Sequence, residues 1–461
     1  MTVKAIVMGA GKGTRMKSEQ AKVLHEVAGM PMVRWVLDAA VAAGSQRTVV
    51  VVGHQADAVI AVLPDGTPTA LQVDQIGTGD AARLGLAALA PDADDAVLIL
   101  PGDSPMLGAD TLRRLITLHH DSGAAGTLLT SVPDDPTGYG RVVRNTDGSV
   151  ARIVEQRDAD AEELAIGEVN SSVYVFRAGD LAPALDSIEP GNAQGEYYLT
   201  DVIGVLAAGG ARIAAHIADA AETEGVNSLD QLAAVAADLR RRINRQWMAE
   251  GVWMQDPDRT YIDATVRLEA GVRLLADVHL QGTTTVAAGA EVGPSVFARD
   301  CSIGPDAHIW YSVLREADVG SGAEVGPYVS LRPGASLGDH AKAGTFVEIK
   351  NSTVGEGSKV PHLSYIGDAT IGAGSNLGAG TITANYDGYR KHRTVIGDRV
   401  KIGVDTMLVA PVDIGDEAWT GAGTVVTGDV ASGALAVGRS PVKEIPGYAA
   451  RRKARSEQEK T

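Results

Sequence analysis

The chain begins with a glycine-rich segment whose residue types suit it to hold a polyphosphate. The apolar run Val3–Met8 is followed by residues 9–15 (GAGKGTR), and a further cation, Lys22, comes shortly afterwards. Glycine lets backbone N–H groups approach phosphate oxygens closely. The spacing matches neither the dinucleotide-binding G-x-G-x-x-G nor the P-loop. We therefore predict a phosphate site of another kind, with Arg15 and Lys22 beside it; a tight turn flanked by solvated cations is the alternative.

A carboxylate follows another apolar run in the first half. Asp103 comes after Val97–Leu100, through Pro101 and Gly102. A carboxylate at the end of a buried strand can hold Mg²⁺, the hard cation that usually accompanies a triphosphate. It can equally cap a following helix.

The second half of the chain offers a general base. His362 has a side chain whose ordinary pKa is near neutrality, so it can take a proton from an attacking amine. Cations nearby could hold an anionic group of the same ligand. A lone histidine is more often structural, but here polar groups cluster within about forty residues around it: Lys350, Tyr365, Asn385, Tyr386 and Lys391.

Strand-like and helix-like segments alternate in the first half of the chain, and they must position the glycine-rich segment and Asp103. Continuous apolar runs at Val49–Val52 and Val97–Leu100 are typical of strands buried on both faces, and amphipathic segments lie near 30–43 and 80–90. Residues 1–227 are therefore predicted to form a Rossmann-like α/β domain with a mostly parallel sheet. Ligands bind such sheets at the carboxyl ends of the strands.

A long amphipathic helix is predicted next, within a linker at 228–250. Its apolar residues recur at steps of three and four from Leu229 to Trp247, with arginines between them. Asn227 or Ser228 would cap its start. We interpret this helix as a rigid connector between domains.

From residue 251 the period of apolar residues becomes six. Glycine follows many of the aliphatic residues, as at Ile303, Val319, Ile371 and Ile414. This period predicts a hexapeptide-repeat parallel β-helix over 251–461, left-handed as in the families that carry the repeat. The repeat is interrupted at 377–391, and a charged tail from Arg451 is expected to be frayed or briefly helical.

Composition narrows the class of protein. The 461 residues carry a formal net charge of -17 and one cysteine, with 54 glycines and 4% aromatic residues. The acidic balance argues against nucleic acid as the main partner. No apolar run approaches the ~20 residues of a membrane span. With one cysteine and no signal-peptide pattern at the start, we expect a cytoplasmic protein without disulfides.

Two motifs give the first half a family resemblance. Residues 11–16 (GKGTRM) followed by residues 22–24 (KVL) resemble the signature of sugar-1-phosphate nucleotidyltransferases. Several later segments, taken in order, resemble the bacterial bifunctional enzymes that make UDP-N-acetylglucosamine: 136–143, 153–155, 168–170, 192–201 and 224–227.

The resemblance implies roles for individual residues of the first half. Gln72, Gly77 and Thr78 would read the uracil base, and Gly140, Glu155 and Asn170 would contact N-acetylglucosamine. Asp103 and Asn227 would hold Mg²⁺. The full set implied for UTP and the sugar is Met8, Gly9, Ala10, Gly11, Arg15, Lys22, Gln72, Gly77, Thr78, Gly140, Glu155, Asn170 and Asn227.

The second half resembles the acetyltransferase part of the same family. His362 would be the catalytic base. The residues implied around glucosamine-1-phosphate are Arg332, Lys350, Tyr365 and Asn376. Those implied for acetyl-CoA are Ala379, Asn385, Tyr386, Val404, Ala422 and Arg439.

The resemblance as a whole implies one chain with two activities. Glucosamine-1-phosphate would be acetylated by acetyl-CoA, and N-acetylglucosamine-1-phosphate would then react with UTP and Mg²⁺, releasing pyrophosphate. The product would supply peptidoglycan and lipopolysaccharide precursors. A cytoplasmic homotrimer without nucleic-acid partners is expected.

Several positions depart from the family pattern, and other functions stay open. Gly9, Ala21, Asp80, Pro101 and Val404 replace residues common in the family. One alternative is a single-activity sugar nucleotidyltransferase with a regulatory or trimerising β-helix. Another is a non-catalytic scaffold, as in subunits of a translation exchange factor.

Overall fold

The computed structural model describes residues 2–438 and 440–459. The chain divides into two compact units, one ending at Ile243 and the other beginning at Asn244. Within the described residues, no helix is both long enough and apolar enough to cross a membrane.

The first unit alternates strands and helices, as predicted. Its strands are β1 (Val3–Met8), β2 (Glu26–Val27), β3 (Met30–Pro31), β4 (Arg47–Val52), β5 (Thr69–Leu71), β6 (Ala96–Pro101), β7 (Gly126–Ser131), β8 (Arg141–Arg144), β9 (Val150–Val154), β10 (Val169–Arg177) and β11 (Ile213–Ile217). Its helices are α1 (Met32–Ala42), α2 (Ala56–Ala61), α3 (Thr78–Leu89), α4 (Ala109–Ser122), α5 (Ala161–Leu164), α6 (Ala178–Ser187), α7 (Asp201–Ala208), α8 (Ala220–Thr223) and α9 (Leu229–Ala249). Short 3₁₀ helices span Thr14–Met16 and Lys22–Leu24.

The main sheet has the strand order β11-β7-β10-β6-β1-β4-β5, with β8 and β9 attached beside β10. Strand β1 runs parallel to β4 and β6, whereas β10 is antiparallel to both β6 and β7. The start of β10 therefore lies at the same edge as the carboxyl ends of β1 and β6. This edge is where an α/β sheet binds ligands.

Each central strand buries both of its faces. In β1, Ile6 belongs to the apolar layer on one side of the sheet, and Ala5 and Val7 belong to the layer on the other side. The same alternation is seen in β4 and β6. The continuous apolar runs of the sequence follow from this double burial, because neither face can be polar.

The predicted amphipathic helix after residue 227 is α9. The Ser228 hydroxyl accepts a hydrogen bond from the Gln231 backbone N–H at 3.4 Å, and the Gln231 side chain accepts one from Asn227 N–H at 2.8 Å. This reciprocal pairing resembles a capping box and accounts for the start of the helix. The boundary between the two units falls within α9, between Ile243 and Asn244.

The second unit is a left-handed hexapeptide-repeat β-helix whose strands stack in parallel on three faces of the described chain. The first face contains Trp253–Met254, Arg273–Leu274, Glu291–Val292, His308–Ile309, Glu324–Val325, Lys342–Thr345, Lys359–His362, Asn376–Leu377, Lys401–Ile402, Trp419–Thr420 and Leu435–Ala436. The second contains Thr260–Ile262, Val278–Gln281, Val296–Arg299, Val313–Arg315, Ser330–Leu331, Glu348–Lys350, Tyr365–Gly367, Ile382–Ala384, Met407–Val409 and Val425–Val426. The third contains Arg267–Leu268, Thr285–Val286, Ser302–Ile303, Ala317–Val319, Ala335–Leu337, Thr353–Val354, Ala369–Ile371, Thr394–Ile396 and Val412–Ile414.

The aliphatic residue of each repeat fills the interior of this β-helix. Val325, Leu331 and Leu337, for example, take one position on each face and are at most 2% exposed. The glycine that often follows has a steric reason. A Cβ on Gly355 would lie 2.6 Å from the carbonyl carbon of Gly372, which is in the next coil. The coils approach too closely there for any side chain, which explains part of the glycine excess.

The interruption of the repeat is shorter than predicted. Leu377 and Ile382–Ala384 remain in strands, and the chain leaves the coil only between Ala384 and Thr394. The interruption predicted at 377–391 begins too early in the chain, because Gly378 and Gly380 are corner glycines of a regular coil. Near the end of the chain, helix α10 spans Tyr448–Gln458, so the charged tail is helical.

Candidate active sites

A cavity of about 690 Å³ lies in the first unit, at the edge where β1 and β6 end. Of the residues predicted for UTP, the sugar and the metal ion, all but Gly9 line it: Met8, Ala10, Gly11, Arg15, Lys22, Gln72, Gly77, Thr78, Asp103, Gly140, Glu155, Asn170 and Asn227. Gly9 is not among the lining residues. Its N–H donates to Val51 O at 2.8 Å, which ties the loop to β4.

The glycine-rich loop brings its cations close to the strand ends. Gly13 has a φ of 63°, and a Cβ there would lie 2.5 Å from Lys22 Cβ. Glycine is therefore required for Lys22 to pass beneath the loop. At the neighbouring strand end, Gly102 N–H donates to Met8 O at 2.9 Å, and a Cβ on Gly102 would lie 2.8 Å from the same oxygen. This close approach sets Asp103 beside the loop.

Two cations and two oxygen-bearing side chains converge in the cavity. Asn227 Oδ1 accepts hydrogen bonds from Arg15 Nη2 at 2.7 Å and from Lys22 Nζ at 3.0 Å. Lys22 also forms an ion pair with Asp103. The Val226 N–H donates to Asp103 O at 3.0 Å, so the segment before α9 is tied to the end of β6. Residues more than 200 positions apart thus share one site.

The oxygens of Asp103 and Asn227 fit a hard divalent cation by their chemistry. The Asn227 amide is oriented with its oxygen toward the cations, because its Nδ2 donates to Gly225 O at 3.1 Å. One carboxylate and one amide oxygen suit Mg²⁺, which keeps several waters and binds substrate phosphates. Across residues 2–438 and 440–459, no group of three or more His, Cys, Asp or Glu side chains could hold a metal ion. A metal ion at Asp103 and Asn227 would therefore need water and phosphate oxygens as further ligands.

Gln72, Gly77 and Thr78 occupy one side of the cavity. Gln72 is buried and its Nε2 donates to Gly77 O at 3.0 Å and to Asp80 Oδ2 at 2.9 Å. Thr78 Oγ1 accepts from Leu199 N–H at 3.0 Å. Gly77 has a φ of 125° and packs against the backbone of the segment preceding α7. This segment belongs to residues 192–201, which carry part of the family resemblance, and it supports the loop at 77–78.

Gly140, Glu155 and Asn170 lie together on another side. Asn170 N–H donates to Gly140 O at 2.9 Å, and a Cβ on Gly140 would lie 3.4 Å from Glu155 Oε1. Burial raises the pKa of Glu155, against a hydrogen bond donated by Thr200. These residues can therefore offer a half-buried carboxyl and an amide to hydroxyl groups of a ligand.

Further residues line the cavity without having been assigned to it. Most of these residues lie in motifs identified in the sequence, but the sequence does not show that they face the cavity. They include Lys12, Gly13, Thr14, Gln75, Pro101, Ser104, Tyr139, Ser172, Glu196, Gly225 and Gln231.

In the second unit, one set of predicted residues gathers at the corner between the second and third faces. We call this the second corner. Lys350 lies beside Lys391, and the adjacent amine, with partial desolvation, lowers the pKa of Lys350. Asn385 Nδ2 donates to Asp368 Oδ2 at 2.5 Å. A Cβ on Gly367 would lie 2.7 Å from Asn385 Nδ2 and would overlap the Tyr365 hydroxyl. Tyr365 and Asn385 therefore meet over this glycine.

Arg332 lies at the same corner, one coil before Lys350. Its Nη1 donates to Glu348 Oε1 at 2.7 Å, and Glu348 is aligned with Tyr365 in the next coil. Desolvation raises the pKa of Asp368, but hydrogen bonds from Asn351 and Asn385 together with nearby lysines outweigh it, so the pKa lies below its ordinary value. The second corner thus presents the cations Arg332, Lys350 and Lys391 beside the carboxylates of Glu348 and Asp368.

A different set gathers at the first corner, between the first and second faces. The exposed His362 lies there. Backbone hydrogen bonds link successive coils at this corner, from Gly380 N–H to His362 O at 3.3 Å, from Asp405 N–H to Ala379 O at 2.7 Å and from Gly423 N–H to Val404 O at 2.9 Å. The predicted base and the predicted acetyl-CoA residues Ala379, Val404 and Ala422 therefore form one column.

The second face separates the His362 column at the first corner from the Lys350 cluster at the second corner. His362 precedes Tyr365 by one corner, and no hydrogen bond or ion pair between described residues joins the His362 side chain to the second-corner cluster. Asn376 lies on the first face, aligned with Lys359 and Lys401. Tyr386 is exposed in the loop after Ala384. Arg439 lies outside the described residues.

The loop after Ala384 has its own internal support. Asp387 accepts hydrogen bonds from the Tyr389 and Arg390 N–H groups, and His392 Nε2 lies 2.6 Å from its other oxygen. The backbone hydrogen bond from Arg390 and the contact with His392 lower the pKa of Asp387 to about 2. The loop is therefore braced by an ionised carboxylate, which holds Lys391 near Lys350.

Known proteins resemble this chain along nearly its whole length. Residues 5–196 match the MobA-like NTP transferase domain family. Over 96% of its length, the chain is 49% identical to 91% of the bifunctional protein GlmU of Kineococcus radiotolerans. It is 46% identical to the bifunctional protein GlmU of Heliobacterium modesticaldum, over 95% of this chain and 96% of that one. For the Pelobacter propionicus protein of the same name, identity is 46% over 98% of this chain and 99% of that one.

These similarities extend through both the α/β unit and the β-helix, at identities well above those that show only a shared fold. The chain belongs to the bifunctional GlmU family.

Proposed function

We propose that the cavity of the first unit binds UTP and N-acetylglucosamine-1-phosphate, and that the residues at the first and second corners of the β-helix bind glucosamine-1-phosphate and acetyl-CoA. As a member of its family, the chain is a bifunctional enzyme of UDP-N-acetylglucosamine synthesis, a nucleotidyltransferase and an acyltransferase that serves cell-wall biosynthesis. A single-activity enzyme is not favoured, because the bifunctional relatives match nearly the whole chain.

In the uridylyl transfer, an oxygen of the sugar phosphate attacks the α-phosphorus of UTP and the bond to pyrophosphate breaks. No general base is needed, because the attacking phosphate is already an anion. Arg15 and Lys22 would stabilise the charge on the phosphates, and Glu155 and Asn170 would orient the sugar. Mg²⁺ held by Asp103 and Asn227 would neutralise further phosphate charge.

In the acetyl transfer, the amine of glucosamine-1-phosphate attacks the thioester carbonyl of acetyl-CoA. His362 would accept a proton from the amine and pass it to the departing CoA sulfur. Lys350, Arg332 and Tyr365 would hold the sugar phosphate, with Asn376. Ala379, Val404 and Ala422 would lie along CoA, with Asn385, Tyr386 and Arg439.

The observation that carries the first assignment is the convergence of Arg15, Lys22, Asp103 and Asn227 in a single cavity. The test is a split assay of the full chain. One reaction contains N-acetylglucosamine-1-phosphate, UTP and Mg²⁺ and is followed by pyrophosphate release. The other contains glucosamine-1-phosphate and acetyl-CoA and is followed by free thiol.

Reciprocal variants separate the two sites. Lys22→Ala should lower pyrophosphate release about 10²–10³-fold, the range for loss of a charge-stabilising group, and leave thiol release unchanged. His362→Ala should abolish thiol release and leave pyrophosphate release unchanged. Lys17→Ala, which removes an exposed cation that does not line the cavity, is the control and should affect neither reaction. Parallel loss of both activities in either variant would contradict the assignment.

The domain limits and the setting of the enzyme are also proposals. We propose a uridylyltransferase domain at 1–227, a helical linker at 228–250 and an acetyltransferase domain at 251–461, in a cytoplasmic homotrimer. The separation of His362 from the Lys350 cluster supports trimer formation, because a second copy of the chain could contribute residues to the site.

A further inference from the structure

Gln72 is a buried polar side chain on one side of the nucleotide cavity. It follows β5, and its side chain lines the cavity although the residue is only 3% exposed. Its Nε2 carries two hydrogens, and both are used. One is donated to Gly77 O at 3.0 Å and the other to Asp80 Oδ2 at 2.9 Å.

These two partners fix the orientation of the amide. A backbone carbonyl and a carboxylate are both acceptors, so an amide rotated by 180° would set its own oxygen against two other oxygens. Oε1 therefore takes the remaining position, where none of the described residues donates a hydrogen bond to it. The atom that Gln72 offers to a ligand is an acceptor.

Asp80 accepts one of the two hydrogen bonds that fix the Gln72 amide, although it does not itself line the cavity. It lies in the first turn of α3 and its side chain is 16% exposed. Its Oδ1 is 3.5 Å from Arg83 Nη1, and Arg83 Nη2 donates to Leu185 O at 2.8 Å. Arg83 is thus anchored and holds one carboxylate oxygen, which leaves the other directed at Gln72.

We propose that Asp80 is a positioning residue that gives the nucleotide site its choice of base. The inference rests on the proposed function, in which Gln72 meets the base of UTP. With Oε1 directed at the base, Gln72 accepts a hydrogen bond from the N3–H of uracil. In the same pose, cytosine opposes this oxygen with N3, an acceptor, and the repulsion disfavours CTP. Without Asp80, only Gly77 O opposes the rotation that would let the amide donate to cytosine.

The experiment compares kcat/KM for UTP and CTP in the Asp80→Ala variant, using the full chain, N-acetylglucosamine-1-phosphate, Mg²⁺ and pyrophosphate release. We expect the UTP value to fall about fivefold, as for the loss of one hydrogen bond, and the ratio of UTP to CTP to fall at least tenfold. Asp80→Glu keeps a carboxylate and should retain most of the selectivity. The remaining pyrophosphate release from UTP reports that the first unit of each variant is folded, and thiol release reports the same for the second unit.

Asp110→Ala is the matched control. Asp110 also lies in the first turn of a helix, α4, and pairs with an arginine three residues later, Arg113. Its removal costs the same helix-end and ion-pair interactions without touching the cavity, so the nucleotide ratio should not change.

Two results would overturn the proposal. If Asp80→Ala lowers the values for UTP and CTP by the same factor, Asp80 only supports the start of α3. If the unaltered protein uses CTP as readily as UTP, the amide does not select the base. Failure of the unaltered protein to release pyrophosphate from UTP would instead overturn the proposed function, so the two failures are distinguishable. Calorimetric titration with UTP and with CTP repeats the comparison without turnover.

Discussion

At the scale of single residues, the candidate sites use groups whose hydrogen bonds leave no choice of orientation. Asn227 must direct its oxygen at Arg15 and Lys22 because its amide nitrogen is held by Gly225 O. Gln72 must direct its oxygen away from Gly77 and Asp80 for the same kind of reason. Such constraints prepare a site before its ligand arrives, which reduces the cost of binding.

Another buried polar residue makes stability depend on pH. His119 in α4 is 2% exposed, and its Nδ1 lies 2.9 Å from Thr127 Oγ1. Burial, together with the charge of Arg177, lowers its pKa from 6.5 to about 4. Between these values the unfolded chain binds a proton that the folded chain does not. The contribution of neutral His119 to the free energy of unfolding is therefore complete above pH 6.5. It is lost as the pH falls toward 4, by up to about 3 kcal/mol.

We expect His119→Asn to reduce this dependence. Asparagine retains a polar group near Thr127 but does not titrate. Thermal unfolding of the first unit, followed at pH 7.5 and at pH 4.5, should show a smaller loss of stability in the variant than in the unaltered protein. His120→Asn, at an exposed position of the same helix, should leave the difference unchanged. An identical pH dependence for His119→Asn and the unaltered protein would contradict the interpretation.

At the scale of elements, strand direction decides which side chains reach the first site. β10 is antiparallel to its neighbours, so Asn170, near its start, lies at the edge where β1 and β6 end. A uniformly parallel sheet would carry Asn170 to the opposite edge. The pattern of the sequence predicted a mostly parallel sheet but did not identify the strand that runs the other way.

The stacking of coils in the β-helix sets a second requirement at this scale. Gly355→Ala should destabilise the second unit by about 1–3 kcal/mol, the usual cost of overpacking, because its Cβ would lie 2.6 Å from a backbone atom of Gly372. The measurements are thermal unfolding and the half-life of thiol release at elevated temperature. Gly428→Ala is the control, since a Cβ there meets no atom within 4 Å. Equal effects at both positions would mean that glycine matters only for chain flexibility.

At the scale of the whole molecule, the chain combines two chemistries that use unrelated folds. The α/β unit gathers cations at strand ends, whereas the β-helix distributes its polar groups along two corners. An overall charge of -17 does not prevent phosphate binding, because the cations are concentrated where they are needed. Charge at this scale favours solubility rather than deciding the ligand.

The assembly proposed above predicts a mass three times that of one chain. With 47.7 kDa per chain, light scattering coupled to size-exclusion chromatography should give about 143 kDa. Exposed apolar residues at the first corner would be covered in such an assembly, among them Tyr328 and Phe346, whose rings stack at 5.3 Å. We expect Tyr328→Ser combined with Phe346→Ser to lower the mass and thiol release together. A monomer with full thiol release would contradict the role of a second copy.

The sequence by itself determined the two fold classes and the residue types of both candidate sites. It could do so because the signals are local: runs of apolar residues, a period of six, and glycines at fixed distances from Arg15, Lys22 and Asp103. Almost every residue predicted for the first site lines one cavity, because strand ends at one edge of a sheet must lie together.

Only the tertiary structure decided how distant parts of the chain meet. The contact of Asn227 with Lys22, the contact of Gln72 with Asp80, and the separation of His362 from Lys350 depend on strand direction, loop path and coil register. These are set by packing among residues far apart in sequence, and no local period encodes them. The family resemblance implied a role for each residue, but the orientation of each side chain follows from its neighbours in space.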